Sequence, residues 1–115
     1  MRLPGLDHAV VTERHVTRYL LAVDHPTGRH KALWLMAHGF RLEAWEVLVE
    51  AIKRHAFIHE VLRAEGSPFG NRYVVEGPLM TPDGRDPPAR SIWFVEAGGY
   101  APLFVTVYPV RRSGP

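Results

Sequence analysis

The 115-residue chain has no cysteine. That excludes a disulfide framework, a thiolate nucleophile and any cysteine zinc site. Lysine is nearly absent too: of 14 basic residues, only Lys31 and Lys53 are lysines and the rest are arginines. Two explanations fit this bias, a GC-rich coding preference and the use of planar guanidinium forks on phosphate. The formal net charge is only +2, which by itself does not argue for nucleic acid; only its distribution can. No apolar run approaches the roughly 18 residues of a membrane span. The start, Met1-Arg2-Leu3-Pro4-Gly5, lacks the apolar stretch of a signal peptide. The expected compartment is the cytoplasm, with the detached tail domain of a secreted toxin as the other possibility. Internal repeats, low-complexity segments and linkers are missing, so residues 1–115 are expected to form a single domain. Phosphate loops, dinucleotide fingerprints, G-x-S-x-G elbows and H-E-x-x-H zinc helices are missing as well. No cofactor and no metal are expected.

What the chain does have is a change of period. Residues 1–11 read as an N-terminal extension. Residues 12–56 repeat apolar positions at helical spacing, and residues 57–110 alternate like strands. Thr12 is a good N-cap for a helix over 13–22, with Glu13 in its first turn. Pro26 suits the first turn of a second helix over 27–37, with Leu33, Met36 and Ala37 inward and Gly39 as its stop. A third helix is expected over 42–55, with Trp45 in mid-stripe. Strands are expected over 57–64, 72–79, 89–95 and 103–110, separated by turns at Gly66-Ser67-Pro68, Pro82-Asp83-Gly84-Arg85 and Gly98-Gly99. The tail 111–115 is expected to fray. The fold class is therefore α+β, with three N-terminal helices packed on a four-stranded antiparallel meander.

Alternation divides the strand residues into two sets. Val74, Ile92, Phe94, Leu103, Val105 and Val107 are expected under the helices, leaving Tyr73, Ser91, Trp93, Phe104, Thr106 and Tyr108 on the open face. Such a mixed face is either ordinary strand decoration or a platform that stacks bases and holds phosphate. At the second helix start, His25-Pro26-Thr27-Gly28-Arg29-His30-Lys31 gathers titratable and cationic groups where unpaired N–H groups attract phosphate. Either His25 is a general acid or base and Lys31 steadies an oxyanion, or His25 caps the loop and Lys31 is a solvated charge. His55 and His59 have metal-ligand spacing, but nothing completes a site, so a solvated pair is expected. His, Arg, Lys and hydroxyls suit cleavage of a phosphodiester through the 2′-hydroxyl of RNA.

Read in order, His25-Pro26-Thr27-Gly28-Arg29-His30-Lys31-Ala32, Gly39-Phe40, Trp45, Gly70-Asn71-Arg72-Tyr73-Val74-Val75-Glu76-Gly77-Pro78-Leu79, Pro82-Asp83-Gly84-Arg85, Arg90-Ser91-Ile92-Trp93 and Val105-Thr106-Val107-Tyr108-Pro109 resemble the bacterial domain-of-unknown-function family numbered 6883. The resemblance spans nearly the whole chain and implies no established activity. Position 72 is Arg where the pattern has Lys, and position 91 is Ser where it has Thr. A more distant likeness, in element order only, is to the barnase–RelE-like toxin ribonucleases, although no general-base glutamate is identifiable beyond Glu76. The expected function is a small metal-independent ribonuclease-like toxin domain. His25, Lys31, Arg72, Arg90 and Thr106 would be catalytic, and His30, Tyr73, Arg85, Ser91, Trp93 and Tyr108 would bind substrate. The His25–Lys31 segment is expected to face Arg72, Tyr73, Thr106 and Tyr108 across one cleft. The alternatives are a non-catalytic protein-binding module of a toxin–antitoxin-type operon and an RNA-binding domain without turnover. The expected partners are RNA and an antitoxin-like protein.

Overall fold

Helices lead into strands, and each boundary has a local cause. The computed structural model describes residues 1–26 and 28–110; the frayed tail expected at 111–115 lies outside the described residues. The Thr12 hydroxyl accepts the His15 amide at 3.2 Å, a cap worth about 1 kcal/mol. Helix α1, Glu13–His15, then widens into a π-helical turn, Val16–Leu20, in which the Leu21 N–H donates to the Val16 carbonyl at 2.9 Å. The expected helix over 13–22 is thus shorter and changes its winding. Val16 and Leu20 are fully buried in this turn, while His15 and Tyr19 remain half-buried.

Helix α2 is Arg29–Ala37, and Gly39 ends it in the left-handed region at φ 98. Ala32 and Leu35 are its buried positions; Leu33, expected inward, is exposed. Helix α3, Trp45–Ile58, follows a 3-10 turn at Leu42–Ala44. It buries Leu48, Val49, Ile52, His55 and Ala56. Trp45 stands at its start, half-buried against the core rather than at its centre. The first strand does not begin at Phe57, because the His59 N–H still closes a helical bond onto the His55 carbonyl at 3.2 Å.

The strands are β1 Val61–Ser67, β2 Gly70–Pro78, β3 Pro88–Glu96 and β4 Leu103–Pro109. They form one antiparallel meander in sequence order. The N-terminal residues tie the sheet's two edges together. The Val61 N–H donates to the Met1 carbonyl, Val10 bridges to Leu103, and Leu3 is buried in the core. No helix among the described residues is long and apolar enough to cross a membrane.

The faces of the sheet are reversed from the expectation in β2 and β3. Helix α3 lies against β2 and β3, and the core it covers contains Tyr73, Val75, Ala89, Trp93, Phe104 and Val107. Ser91, in phase with Trp93, is fully buried. Val74, Ile92 and Phe94 take the opposite phase, together with Arg72, Glu76 and Arg90, and Val74 and Ile92 are fully buried on that side too. In β4 a bulge breaks the period. Ile92 pairs with Thr106 but Trp93 pairs with Phe104, leaving Val105 unpaired between them. The extra residue lets both Phe104 and Val107 reach the core, three positions apart, and separates Thr106 and Tyr108 from the face of Phe104.

Candidate active site

The first turn of α2 brings Lys31 to the edge strand of the sheet. Its Nζ donates to Thr106 Oγ1 at 2.8 Å and lies 5.6 Å from the centre of the Tyr19 ring. Beside this contact a cleft of about 560 Å³ opens between the α1 segment, α2 and β4. Arg14, His15, Arg18, Tyr19, Lys31 and Thr106 line it, and among the described residues no carboxylate does. Three cations without a lining counter-charge repel one another, an arrangement that favours an anionic ligand. Two imidazoles flank Tyr19: the His15 ring lies 5.5 Å from it and the His25 ring 4.9 Å, both edge-on. The His15 ring also contacts Phe104 at 5.1 Å. Burial pushes the His15 imidazole below its ordinary value, the Lys31 ammonium pushes it further, and a hydrogen bond to the Val105 backbone opposes both. His15 is thereby held neutral at physiological pH.

The helix start is not the open anion nest that the sequence implied. The Gly28 N–H donates to His25 Nδ1 at 3.1 Å, and the Arg29 N–H donates to the His25 carbonyl. His25 therefore caps the loop, and a neutral ring carries its proton on Nε2. Gly28 serves close packing of the chain on itself rather than approach of a ligand: a Cβ there would lie 2.8 Å from the Tyr19 carbonyl oxygen.

The other candidate residues divide between the core and the side of the sheet away from α3. Tyr73, Ser91 and Trp93 are buried on the helix-facing side, which corrects their placing on the open face. Arg90 Nε donates to Glu76 Oε1 at 3.1 Å, and hydrogen bonds to Tyr108 and Glu76 raise the Arg90 guanidinium above its ordinary value. Register places Glu76, Arg90 and Tyr108 in one row across β2, β3 and β4. Arg72 is exposed at the start of the same face, opposite Phe94. Neither Arg72, Arg90 nor Tyr108 lines the cleft, so of the strand residues expected to face the His25–Lys31 segment, Thr106 is the one that does. His30 is exposed beside Lys31. Arg85 pairs with Asp83 at 2.7 Å and donates to the Ala37 carbonyl at 3.0 Å. It anchors the β2–β3 loop on the C-terminus of α2, where a cation is favoured.

The residues missed in the sequence are Arg14, His15, Arg18 and Tyr19. Their spacing puts them on one side of a single turn, but such charge-rich turns are ordinary solvated helix faces. The His55–His59 pair is also different from the expectation. The rings are 4.9 Å apart, yet both Nε2 atoms turn to backbone carbonyls, of Gly77 and Pro78. Among the described residues, no group of three or more His, Asp or Glu side chains is placed to hold a metal ion.

The chain is thus a small α+β domain whose helical layer covers one side of an antiparallel meander, with a basic cleft at one edge. It belongs to the family described as Domain of unknown function (DUF6883), whose model matches residues 2–111. No curated protein matches it in sequence. Among solved structures it is similar to a chain of a contact-dependent growth inhibition toxin–immunity protein complex from Klebsiella pneumoniae 342. The TM-score is 0.69 at 16% identity, over 89% of this chain and 100% of that one. At that identity the likeness is one of fold.

Proposed function

We propose that this chain is a toxin domain that cleaves RNA by metal-independent acid–base catalysis in the cleft between the α1 segment, α2 and β4. The observation that carries the reading is the cluster of Arg14, Arg18 and Lys31, lined by no carboxylate among the described residues, with Lys31 fixed on Thr106. Lys31 stabilises the charge that develops on the phosphorane oxygens, the two arginines bind flanking phosphates, and Thr106 positions the scissile group. His25 supplies acid or base chemistry from beside Tyr19. The bound strand then continues from Thr106 along β4 toward its end. Tyr108 lies about 7 Å further along β4 on the two-residue strand repeat, next to Arg90; Arg72, opposite Phe94, lies toward the other end of the sheet; His30 flanks Lys31. The fold likeness to a chain from a toxin–immunity complex supports a toxin-like module with a protein partner. RNA as substrate puts its work in the cytoplasm.

The test is induced expression in bacteria together with incubation of purified protein with total RNA in excess EDTA. The wild type is expected to arrest growth and fragment RNA. Lys31→Ala should lose at least a hundredfold in cleavage while keeping its melting temperature within a few degrees. Intact RNA with folded wild-type protein would overturn the reading.

A second reading, a module that binds a protein without turnover, is favoured by one observation. Helix α3 carries a second apolar stripe, Val47, Phe57 and Ile58, which is exposed and borders a cavity of about 720 Å³ shared with Leu6 and Met80. Folded, non-toxic, RNA-inert protein would favour that reading.

A further inference from the structure

We propose that His15 is the general base of the cleft, taking the 2′-hydroxyl proton of a single-stranded RNA substrate, with His25, which meets the same Tyr19 ring, as the general acid. The inference rests on the nuclease reading and adds to it a residue from outside the His25–Lys31 segment. Geometry carries it. His15 and His25 are both edge-on to the Tyr19 ring, at 5.5 and 4.9 Å, and Lys31 Nζ lies 5.6 Å from the same ring. Two imidazoles and an ammonium thus meet one ring, that of Tyr19; His15, Tyr19 and Lys31 line the cleft, and His25 reaches it from beside Tyr19.

Transphosphorylation needs this set. A neutral imidazole accepts a proton, a protonated one donates a proton, and a fixed cation faces the phosphorane oxygens. The two histidines differ in surroundings. His15 is held neutral by burial and by the Lys31 ammonium. Its bond to the Val105 backbone favours the charged ring, so a ring N–H donates there and the other nitrogen accepts. His25 uses Nδ1 to accept the Gly28 N–H; it serves as the acid once Nδ1 takes a proton and releases that bond, and Nε2 then donates.

The step balances without metal or redox partner. The O2′–H proton passes to His15 as the O2′–P bond forms. The P–O5′ bond breaks, and O5′ leaves with the proton from His25. The products are a 2′,3′-cyclic phosphate and a 5′-hydroxyl, and proton exchange with water restores both rings. The charged groups facing His15 are Arg14 and Arg18 from its own segment and Lys31 from α2; β4 presents Phe104, Val105 and Thr106, none of which titrates.

The experiment uses the full chain and an end-labelled single-stranded RNA oligonucleotide, with rates measured from pH 5 to 9 in EDTA. Wild type is expected to give a bell-shaped profile and cyclic-phosphate products. His15→Ala should lose about a hundredfold or more in kcat, lose the limb that rises with pH, and recover partly with added imidazole. His15→Asn keeps a donor toward Val105 and cannot act as a base; it should be equally slow with an unchanged melting temperature. His25→Ala should lose about a hundredfold in kcat, and His8→Ala, exposed on the N-terminal turn, should behave as wild type. Wild-type cleavage with His15→Asn at the same rate and with both limbs intact would overturn the assignment alone. An inert, folded wild type would overturn the nuclease reading beneath it.

Discussion

Ser91 and His55 look, as a pair of residue types, like a nucleophile and its base, and the structure makes them something else. His55 Nε2 lies 2.9 Å from the Gly77 carbonyl, an acceptor, so that nitrogen carries the proton. In the neutral ring Nδ1 then accepts from Ser91 Oγ at 2.8 Å, and Ser91 accepts in turn from Trp93 Nε1–H at 3.0 Å. Each polar atom of the chain from indole to hydroxyl to imidazole to carbonyl is satisfied, and Ser91 and Trp93 are fully buried. No substrate reaches that hydroxyl; the network pins α3 to β2 and β3. Ser91→Ala removes the indole's acceptor and the imidazole's donor together. It is expected to cost about 1–3 kcal/mol for each buried group left without a partner, read as a lower urea midpoint with unchanged slope. A shift below about 0.5 kcal/mol would show that the three side chains are not coupled as described.

At the scale of elements, the helices-then-meander order was legible because the period changes from 3.6 to 2, and the ends of β2, β3 and β4 fall within two residues of the bounds expected from the sequence. The facing of the strands was not read, although a signal existed. Arg72, Glu76 and Arg90 share the phase of Val74 and Ile92, and a strand does not turn charges into a core without partners. Tyr73, Ser91 and Trp93 were the inward set because α3 supplies the partner, His55, that makes their polar atoms compatible with burial. The bulge at Val105 had no local marker such as glycine, so the placing of Thr106 against Lys31 rather than beside Tyr73 could not be read from alternation. The candidate site was half legible for a similar reason. His25 and Lys31 stand out as a cluster, whereas His15 becomes notable only once the π-helical turn brings Tyr19 against both imidazoles. The same packing makes a prediction about α2. A Cβ on Gly28 would meet the Tyr19 carbonyl at 2.8 Å, a backbone atom that cannot swing away. Gly28→Ala, whose φ of −93 is acceptable to alanine, should therefore destabilise by about 1–3 kcal/mol through overpacking. The amide and side-chain NMR shifts of Tyr19 and Lys31 should move with it. Wild-type stability and unshifted resonances would mean that α2 does not seat on the π-helical turn this closely.

At the scale of the whole molecule, the balance of 14 basic and 12 acidic residues leaves pH dependence to a few groups whose surroundings differ between folded and unfolded chains. His55 is lowered chiefly by burial, against the favourable Gly77 carbonyl, and His15 by burial and Lys31. A depressed imidazole means that the unfolded chain binds more protons than the folded one below the ordinary value of about 6.5. The slope of stability against pH is then positive in that window: the contribution is whole above 6.5 and falls as the pH drops below it. Asp83 adds a separate acid-side loss. Its carboxyl is held well below the usual range by the Thr81 hydroxyl and by Arg85, so that contribution disappears only under strongly acidic conditions. The raised Arg90 guanidinium acts at far higher pH than either. Urea unfolding at pH 7.5 and pH 5.0 should therefore give a lower midpoint at pH 5.0. Replacing His55 by Gln offers the Gly77 carbonyl a donor and Ser91 an acceptor but cannot titrate. His55→Gln should lose less stability between the two pH values than wild type does, even if its midpoint at pH 7.5 is lower, with the remaining drop traced to His15 by the double variant. Equal midpoints for the wild type at the two pH values would show that protonating these rings carries no penalty in the fold.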